Sequence, residues 1–378
     1  MEEDNNNLSL VLGGGGAHAA YQVGFLRCLA DRYPHLHIPI LTGISSGAIN
    51  AAFIANHPGS FKEAIDDLYA FWGNLDIDQV YKADARSLSK NLLRLTVPLL
   101  TGGIPATPAP KGLVDTAPLR KLLKTGFVSQ SGVLTGIAEN IRLKRLRAVA
   151  ITATNYSTGQ AVTWVQGQGI QMWERPDRHG IMTEMTVDKI MASTALPILF
   201  PAIRIEDSWY GDGGIRQYAP LSPALHLGAT RIMAVSTRHR SSLREISSSA
   251  KPGYPSMARI MDILMDAIFV DMLDQDLLGL DRVNRLLEME SRKEASNLKL
   301  VQAFTLRPST DLGAIAGRSE PDLPRPFRFL TRGLGTRKTE SFGWLSMIMF
   351  DHRYLKNLME IGEADANTRK EEIAAFLA

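Results

Sequence analysis

Apolar positions along the chain alternate between two periods. Leu8 to Leu12 (LSLVL) is a nearly unbroken apolar run, as in a strand buried on both faces. From Ala19 to Ala30 the period becomes helical, with Tyr21, Phe25, Leu26 and Leu29 available to one face. Ile38 to Thr42 reads as a second buried strand and Ala48 to His57 as a second helix. Ser60 to Trp72 reads as an amphipathic helix that buries Phe61, Ile65, Leu68 and Phe71. Another helix starts within Val114 to Leu119, with Thr116 as the cap ahead of Pro118. Arg147 to Thr154 and Ala161 to Val165 read as a strand pair turning at Ser157-Thr158-Gly159. Val187 to Ala195 is helical and stops before Pro197. Strand patterns then fall at Phe200 to Ile205, Tyr210-Gly211 and Arg231 to Ser236. Strands and helices alternating this regularly predict a doubly wound α/β layer with a mostly parallel sheet.

Two stretches break the rhythm. Between Leu88 and Leu113, the residues Leu92, Leu93, Leu95, Val97, Leu99 and Leu100 stand beside only Lys90 and Arg94. A Gly/Pro-rich run to Pro110 follows. This reads either as a core helix with a loop or as a lipid-facing flap. Ser241 to Pro255 is Ser-rich with Pro and Gly and reads as a linker. Beyond it, Ile260 to Leu287 and Gly343 to Phe376 are largely helical in pattern, and Leu298 to Leu306 adds one strand. The expected organisation is an α/β domain over 8–240 and a mainly helical C-terminal extension over 241–378. Asp262, Asp266, Asp271, Asp274 and Asp276 are spaced like a solvated helix face and do not converge on one point, so no metal site is expected.

Composition narrows the class. The 378 residues are 45% hydrophobic and 21% charged with a net charge of +3, which fits a globular protein and argues against a nucleic-acid binder. One cysteine, Cys28, rules out an intrachain disulfide and falls in an apolar helical pattern, as a structural thiol does. The acidic, polar start from Met1 to Asn7 lacks the features of a signal peptide, and no window offers the roughly 18 uncharged apolar residues of a membrane span. A cytoplasmic protein is expected, with peripheral membrane contact left open.

The chemistry gathers at two glycine-flanked turns. Gly43-Ile44-Ser45-Ser46-Gly47 lies between a strand and a helix, the arrangement of a nucleophile elbow. Upstream, the first strand runs into Gly13-Gly14-Gly15-Gly16 and then a helix, a place where backbone amides converge on negative charge. A dinucleotide site would satisfy G-x-G-x-x-A here, but the second strand ends in Thr42-Gly43 instead of an acidic residue. A P-loop lacks its Gly-Lys-Ser/Thr. An oxyanion hole fits, because the elbow comes on the very next strand of a βαβ unit, which sets the two turns side by side. Asp212, in Asp212-Gly213-Gly214, follows a strand and precedes another, so it sits at a sheet edge where loops cluster.

Four ordered blocks, LVLGGGGAHAAYQVGFL, TGISSGAINAAF, ASTALPILFPAI and YGDGGIRQYAPLSPA, resemble the patatin-like phospholipases, and GLVDTAPLRKLL extends the likeness. The resemblance implies a three-layer α/β/α fold on which a Ser–Asp dyad hydrolyses lipid acyl esters without a cofactor. By position, Ser45 would be the nucleophile and Asp212 its partner. Gly14, Gly15 and Gly16 would supply oxyanion-hole amides. Phospholipids or other acyl-ester lipids would be the substrates.

One departure stands out. The family loop usually carries Arg or Lys and then Gly where this chain has His18 and Ala19. A substrate-binding His18 that titrates near roughly pH 6.5 is therefore expected, beside an Asp212 that stays ionised well below about pH 6. Two alternatives remain open. One is a catalytically weak or inactive acyl-binding protein on the same fold. The other is a Ser-Asp-His triad drawing on His226, His239 or His352.

Overall fold

A computed structural model describes residues 7–82, 111–240, 273–289, 298–319 and 346–378, with residues 254, 260, 263 and 264 between them. The apolar stretch at Leu92 to Leu100 and the Ser-rich stretch at 241–253 lie outside the described residues.

Among the described residues the main sheet has nine strands: β1 (Leu8–Leu12), β2 (Ile40–Ile44), β3 (Ala148–Asn155), β4 (Ala161–Gly167), β5 (Arg178–Met182), β6 (Ile203–Ile205), β7 (Ser208–Asp212), β8 (Arg231–Val235) and β9 (Gln302–Leu306). Their order is β9-β8-β1-β2-β3-β4-β5, with β7 pairing both β3 and β6. From β9 through β3 every pairing is parallel, while β3 runs antiparallel to β4 and to β7. Among the described residues the helices of five residues or more are α1 (Ala19–Arg32), α2 (Ser46–Asn56), α3 (Phe61–Gly73), α4 (Ala117–Gly126), α5 (Thr135–Arg142), α6 (Val187–Ser193), α7 (Ser222–His226), α8 (Leu273–Met289), α9 (Leu312–Ser319), α10 (His352–Thr368) and α11 (Lys370–Leu377).

Alternation along the strands separates two cores, one on each face of the sheet. Leu8, Leu10, Leu12, Leu41, Val149 and Ile151 join the large cluster shared with α1, α2, α3, α5 and α10. Val11, Ile40, Ala148, Ala150 and Val165 join the smaller one under α7 and the start of α8. A three-layer α/β/α architecture results. C-terminal elements belong to it physically: β9 extends the sheet beside β8, and Tyr21 on α1 donates its hydroxyl to Asp365 on α10 at 3.0 Å.

Several sequence expectations shift when read against contacts. β2 runs on through Gly43 to Ile44, because Leu12 pairs with Gly43 and Ile44 with Thr152. α2 accordingly begins at Ser46. The N-terminus of α3 is capped as its sequence suggests, with Ser60 and Glu63 forming a reciprocal capping box. Thr116 does not cap α4; Asp115 Oδ1 accepts from the Ala117 amide instead, at 2.9 Å. β5 has no strand-like alternation in the sequence and exists through parallel pairing with β4.

Candidate active site

Parallel neighbours β1 and β2 end at the same edge of the sheet, so the glycine loop after β1 and the turn after β2 touch. Ser45 forms that second turn in a left-handed conformation, φ 53 and ψ −131, and stands immediately before α2 without its hydroxyl capping the helix. A non-glycine residue there is strained, and such strain collects where a side chain must be held in one direction.

The crowding explains the flanking glycines. A Cβ on Gly47 would lie 2.3 Å from the Leu12 carbonyl oxygen and 2.4 Å from that of Gly13, and one on Gly14 would lie 2.9 Å from Ser45 Cβ. Gly47→Ala is therefore expected to force backbone movement and to destabilise the fold by about 1–3 kcal/mol, measured as a lower Tm. An unchanged Tm would show that the turn has slack that these contacts deny.

Asp212 ends β7 and is wholly buried. Its position comes from backbone pairing of β7 with β3, Asp212 standing opposite Ala153, and from the Thr154 hydroxyl donating to its carbonyl at 2.8 Å. Ser45 Oγ donates to Asp212 Oδ2 at 2.6 Å, and the Gly214 amide donates to Oδ1 at 2.8 Å. Burial opposes the charged form more than these two donors favour it, so the carboxyl is pushed up to about 7. This corrects the expectation of a carboxylate ionised well below pH 6. Donors alone would produce that, but the site excludes water.

Ser193 also shapes the turn. Its hydroxyl accepts from the Ser45 amide at 2.9 Å and donates to the Thr152 carbonyl at 2.6 Å, tying α6, β2 and β3 together. Ser193 falls within the block ASTALPILFPAI, but nothing local marks its role, because the two bonds span 148 and 41 positions of sequence.

His18 differs from expectation. Its Nε2 bonds Ser346 at 2.8 Å and its ring packs edge-on to Tyr354. Burial holds its pKa down to about 4, which leaves it neutral between pH 6 and 8 and removes the expected charge switch. Its contacts join the glycine loop to the C-terminal region and lend no support to a substrate-binding role. Among the candidate triad histidines, His226 stacks on Trp173 with centroids 4.5 Å apart, His239 Nδ1 donates to the Pro308 carbonyl, and His352 is an exposed residue at the start of α10. Among the described residues no histidine hydrogen-bonds Ser45 or Asp212.

An apolar cavity of about 30 Å³ lies beside Ser45, lined by Ile49, Trp72, Leu119, Leu196, Phe200 and Phe350. The amides of Gly14, Gly15 and Gly16 meet no acceptor among the described residues. Among the described residues no cluster of side chains could hold a metal ion, and no helix is long and apolar enough to cross a membrane.

Comparison with known proteins bears on this arrangement. One family profile, described as patatin-like phospholipase, matches residues 10–225. No curated protein matches the sequence. Among solved structures, human GIVD cytosolic phospholipase A2 in complex with methyl gamma-linolenyl fluorophosphonate is similar at 12% identity and a TM-score of 0.45, covering 98% of this chain and 58% of its own. VipD from Legionella pneumophila follows at 12% identity and a TM-score of 0.32, covering 93% of this chain and 66% of its own. Full-length ExoU, from the type III secretion system of Pseudomonas aeruginosa and solved with SpcU, is similar at 16% identity and a TM-score of 0.26, with coverage of 97% and 78%. The chain thus spans 58% and 66% of the length of the first two, and scores this low carry no weight for function.

Proposed function

The chain belongs to the patatin-like phospholipase family, and from that premise we propose that it is a lipid acyl hydrolase in which Ser45 and Asp212 form a catalytic dyad. The observation that carries the proposal is the 2.6 Å hydrogen bond from Ser45 Oγ to a buried carboxyl whose pKa lies near 7. A base matched to neutral pH accepts the serine proton most usefully, and this hydrogen bond already places the proton on its path.

In this reading the ester carbonyl carbon is attacked by Ser45 Oγ while Asp212 takes the proton. Negative charge that develops on the carbonyl oxygen is met by glycine-loop amides and by the positive end of α2. The proton then passes to the departing alcohol, leaving an acyl-enzyme. Asp212 next deprotonates the water that attacks the acyl carbonyl and passes that proton to Ser45 Oγ as the acyl–oxygen bond breaks, so the fatty acid leaves and both the serine and the base are regenerated. The lining beside Ser45 is apolar, as the first carbons of an acyl chain require, and a longer chain would have to widen it; Ile198, 64% exposed on the segment that supplies Leu196 and Phe200, gives an apolar point for peripheral contact with a lipid surface. Residues 8–240 carry the chemistry, and β9, α9, α10 and α11 complete the fold around it. A triad finds no support in the placement of His226, His239 or His352.

Acyl release from a panel of phospholipids and neutral lipids, with Ser45→Ala protein as the blank, tests the reaction class. Ser45-dependent release of fatty acid from at least one lipid is expected, and release that persists undiminished in the blank would contradict it. A second expectation concerns pH. With Asp212 as the base, kcat/KM on a soluble ester should rise through about pH 7 and level off above it, since only the ionised form accepts the proton. A profile that stays flat from about pH 5 to 9 would count against Asp212.

A further inference from the structure

The glycine loop poses a physical problem. Oxyanion donors act well only when they are fixed in advance, yet Gly13-Gly14-Gly15-Gly16 has no side chains to restrict its dihedrals. Gly15 adopts φ 150 and Gly16 φ 59, values that leave the run no intrinsic preference to hold it. The loop is anchored through its carbonyls instead. Gly13 O accepts from Gln22 Nε2 at 2.8 Å, Gly14 O accepts from Thr237 Oγ1, and Gly15 O accepts from the His18 amide at 3.1 Å.

The Thr237 contact decides the direction of one amide. In a planar trans peptide the C=O and N–H point opposite ways, so fixing the Gly14 carbonyl also fixes the Gly15 N–H. β1 lies between β8 and β2, with Leu12 paired to Val235 on one side and Gly43 on the other. Thr237 stands two residues past the end of β8, and Ser45 stands one residue past the end of β2. The two residues therefore flank the loop, and a carbonyl turned toward Thr237 leaves its partner N–H turned toward Ser45. Close contacts agree: a Cβ on Gly15 would fall 2.4 Å from Thr237 Oγ1, whereas one on Gly14 would fall 2.9 Å from Ser45 Cβ. Thr237 is itself only 8% exposed, so water offers a poor substitute for its hydroxyl.

We propose that Thr237 is a positioning residue, whose hydroxyl sets the plane of the Gly14–Gly15 peptide and so aims the Gly15 amide at the oxyanion formed on Ser45. The proposal rests on the reading of Ser45 as nucleophile. Thr237→Val removes the hydroxyl and keeps the shape, Thr237→Ala is a second hydroxyl-free variant, and Thr237→Ser keeps the hydroxyl. On a soluble ester, kcat should fall by about 10- to 100-fold in the Val and Ala variants with KM changed less than about twofold, and Ser should restore most of the loss. A kcat within about twofold of wild type in a folded Val or Ala variant overturns the proposal, as does a Ser variant that loses as much as Val. If wild type itself shows no Ser45-dependent turnover, the hydrolase reading falls separately. The loop is then read by NMR of protein carrying ¹⁵N-glycine: a Gly15 amide resonance displaced in Val and returned in Ser supports the anchor, and an unmoved resonance overturns it.

Discussion

Ser45→Ala protein is expected to fold normally and to lose ester hydrolysis by several orders of magnitude. Among the described residues Ser45 Oγ is the only side-chain donor to Asp212, and without it no covalent route to an acyl-enzyme remains. Residual rate would come from the glycine amides and substrate binding alone, which in other serine hydrolases falls about 10⁴- to 10⁶-fold below wild type. The change leaves the turn intact. The Ser45 amide still meets Ser193 Oγ, and a Cβ at position 45 is already accommodated against Gly14. Hydrolysis of a soluble p-nitrophenyl ester, measured beside Tm, checks this. A folded variant that keeps more than about a tenth of wild-type activity would remove Ser45 from the nucleophile's role.

Asp212→Asn is expected to cost nearly as much. Asparagine keeps the shape and can still accept from Gly214, but it cannot take a proton from Ser45. Since the two residues act on one proton, the double variant should be no worse than the worse single one. His226→Gln, His239→Gln and His352→Gln should each stay within about tenfold of wild type, and one inactive variant among them would return the triad to consideration. Stability should move the other way. The carboxyl's folded pKa is raised above its ordinary value, so its contribution is fully present at acid pH and is lost as pH rises through about 7. Asp212→Asn lacks that loss and should gain in Tm relative to wild type between pH 5 and 8, as stability traded for activity at a buried base would require. Thermal melts of both proteins over that range give the answer.

Much of this was legible in the residues. LSLVL, the glycine run, the elbow and Asp212-Gly213-Gly214 announce themselves because each is a local pattern with a local cause: buried strands, tight turns, a helix start. β1, β2, β3, β4, β8 and β9 all fall where apolar runs place them. β5 does not, since RHGIM has neither alternation nor an apolar run and takes its strand from its neighbour. What stayed hidden depends on distance along the chain. Ser193 and Thr237 reach the site across 148 and 223 positions, as single polar residues whose distant partners no neighbouring residue announces. Burial hid the rest. Nothing in the sequence reveals that Asp212 is fully desolvated or that His18 turns to Ser346, and in both cases desolvation reverses the titration expected from residue type.

Activation of Ser45 by Asp212 is read most plainly by covalent capture with a fluorophosphonate, followed by mass spectrometry of the Ser45 peptide. Capture needs the same proton transfer as ester hydrolysis but no acyl-chain specificity. A single adduct on Ser45 is expected in wild type, formed at a rate that climbs through about pH 7, with almost none in Asp212→Asn. An adduct on another residue, or equal rates of capture in wild type and Asp212→Asn, would contradict it.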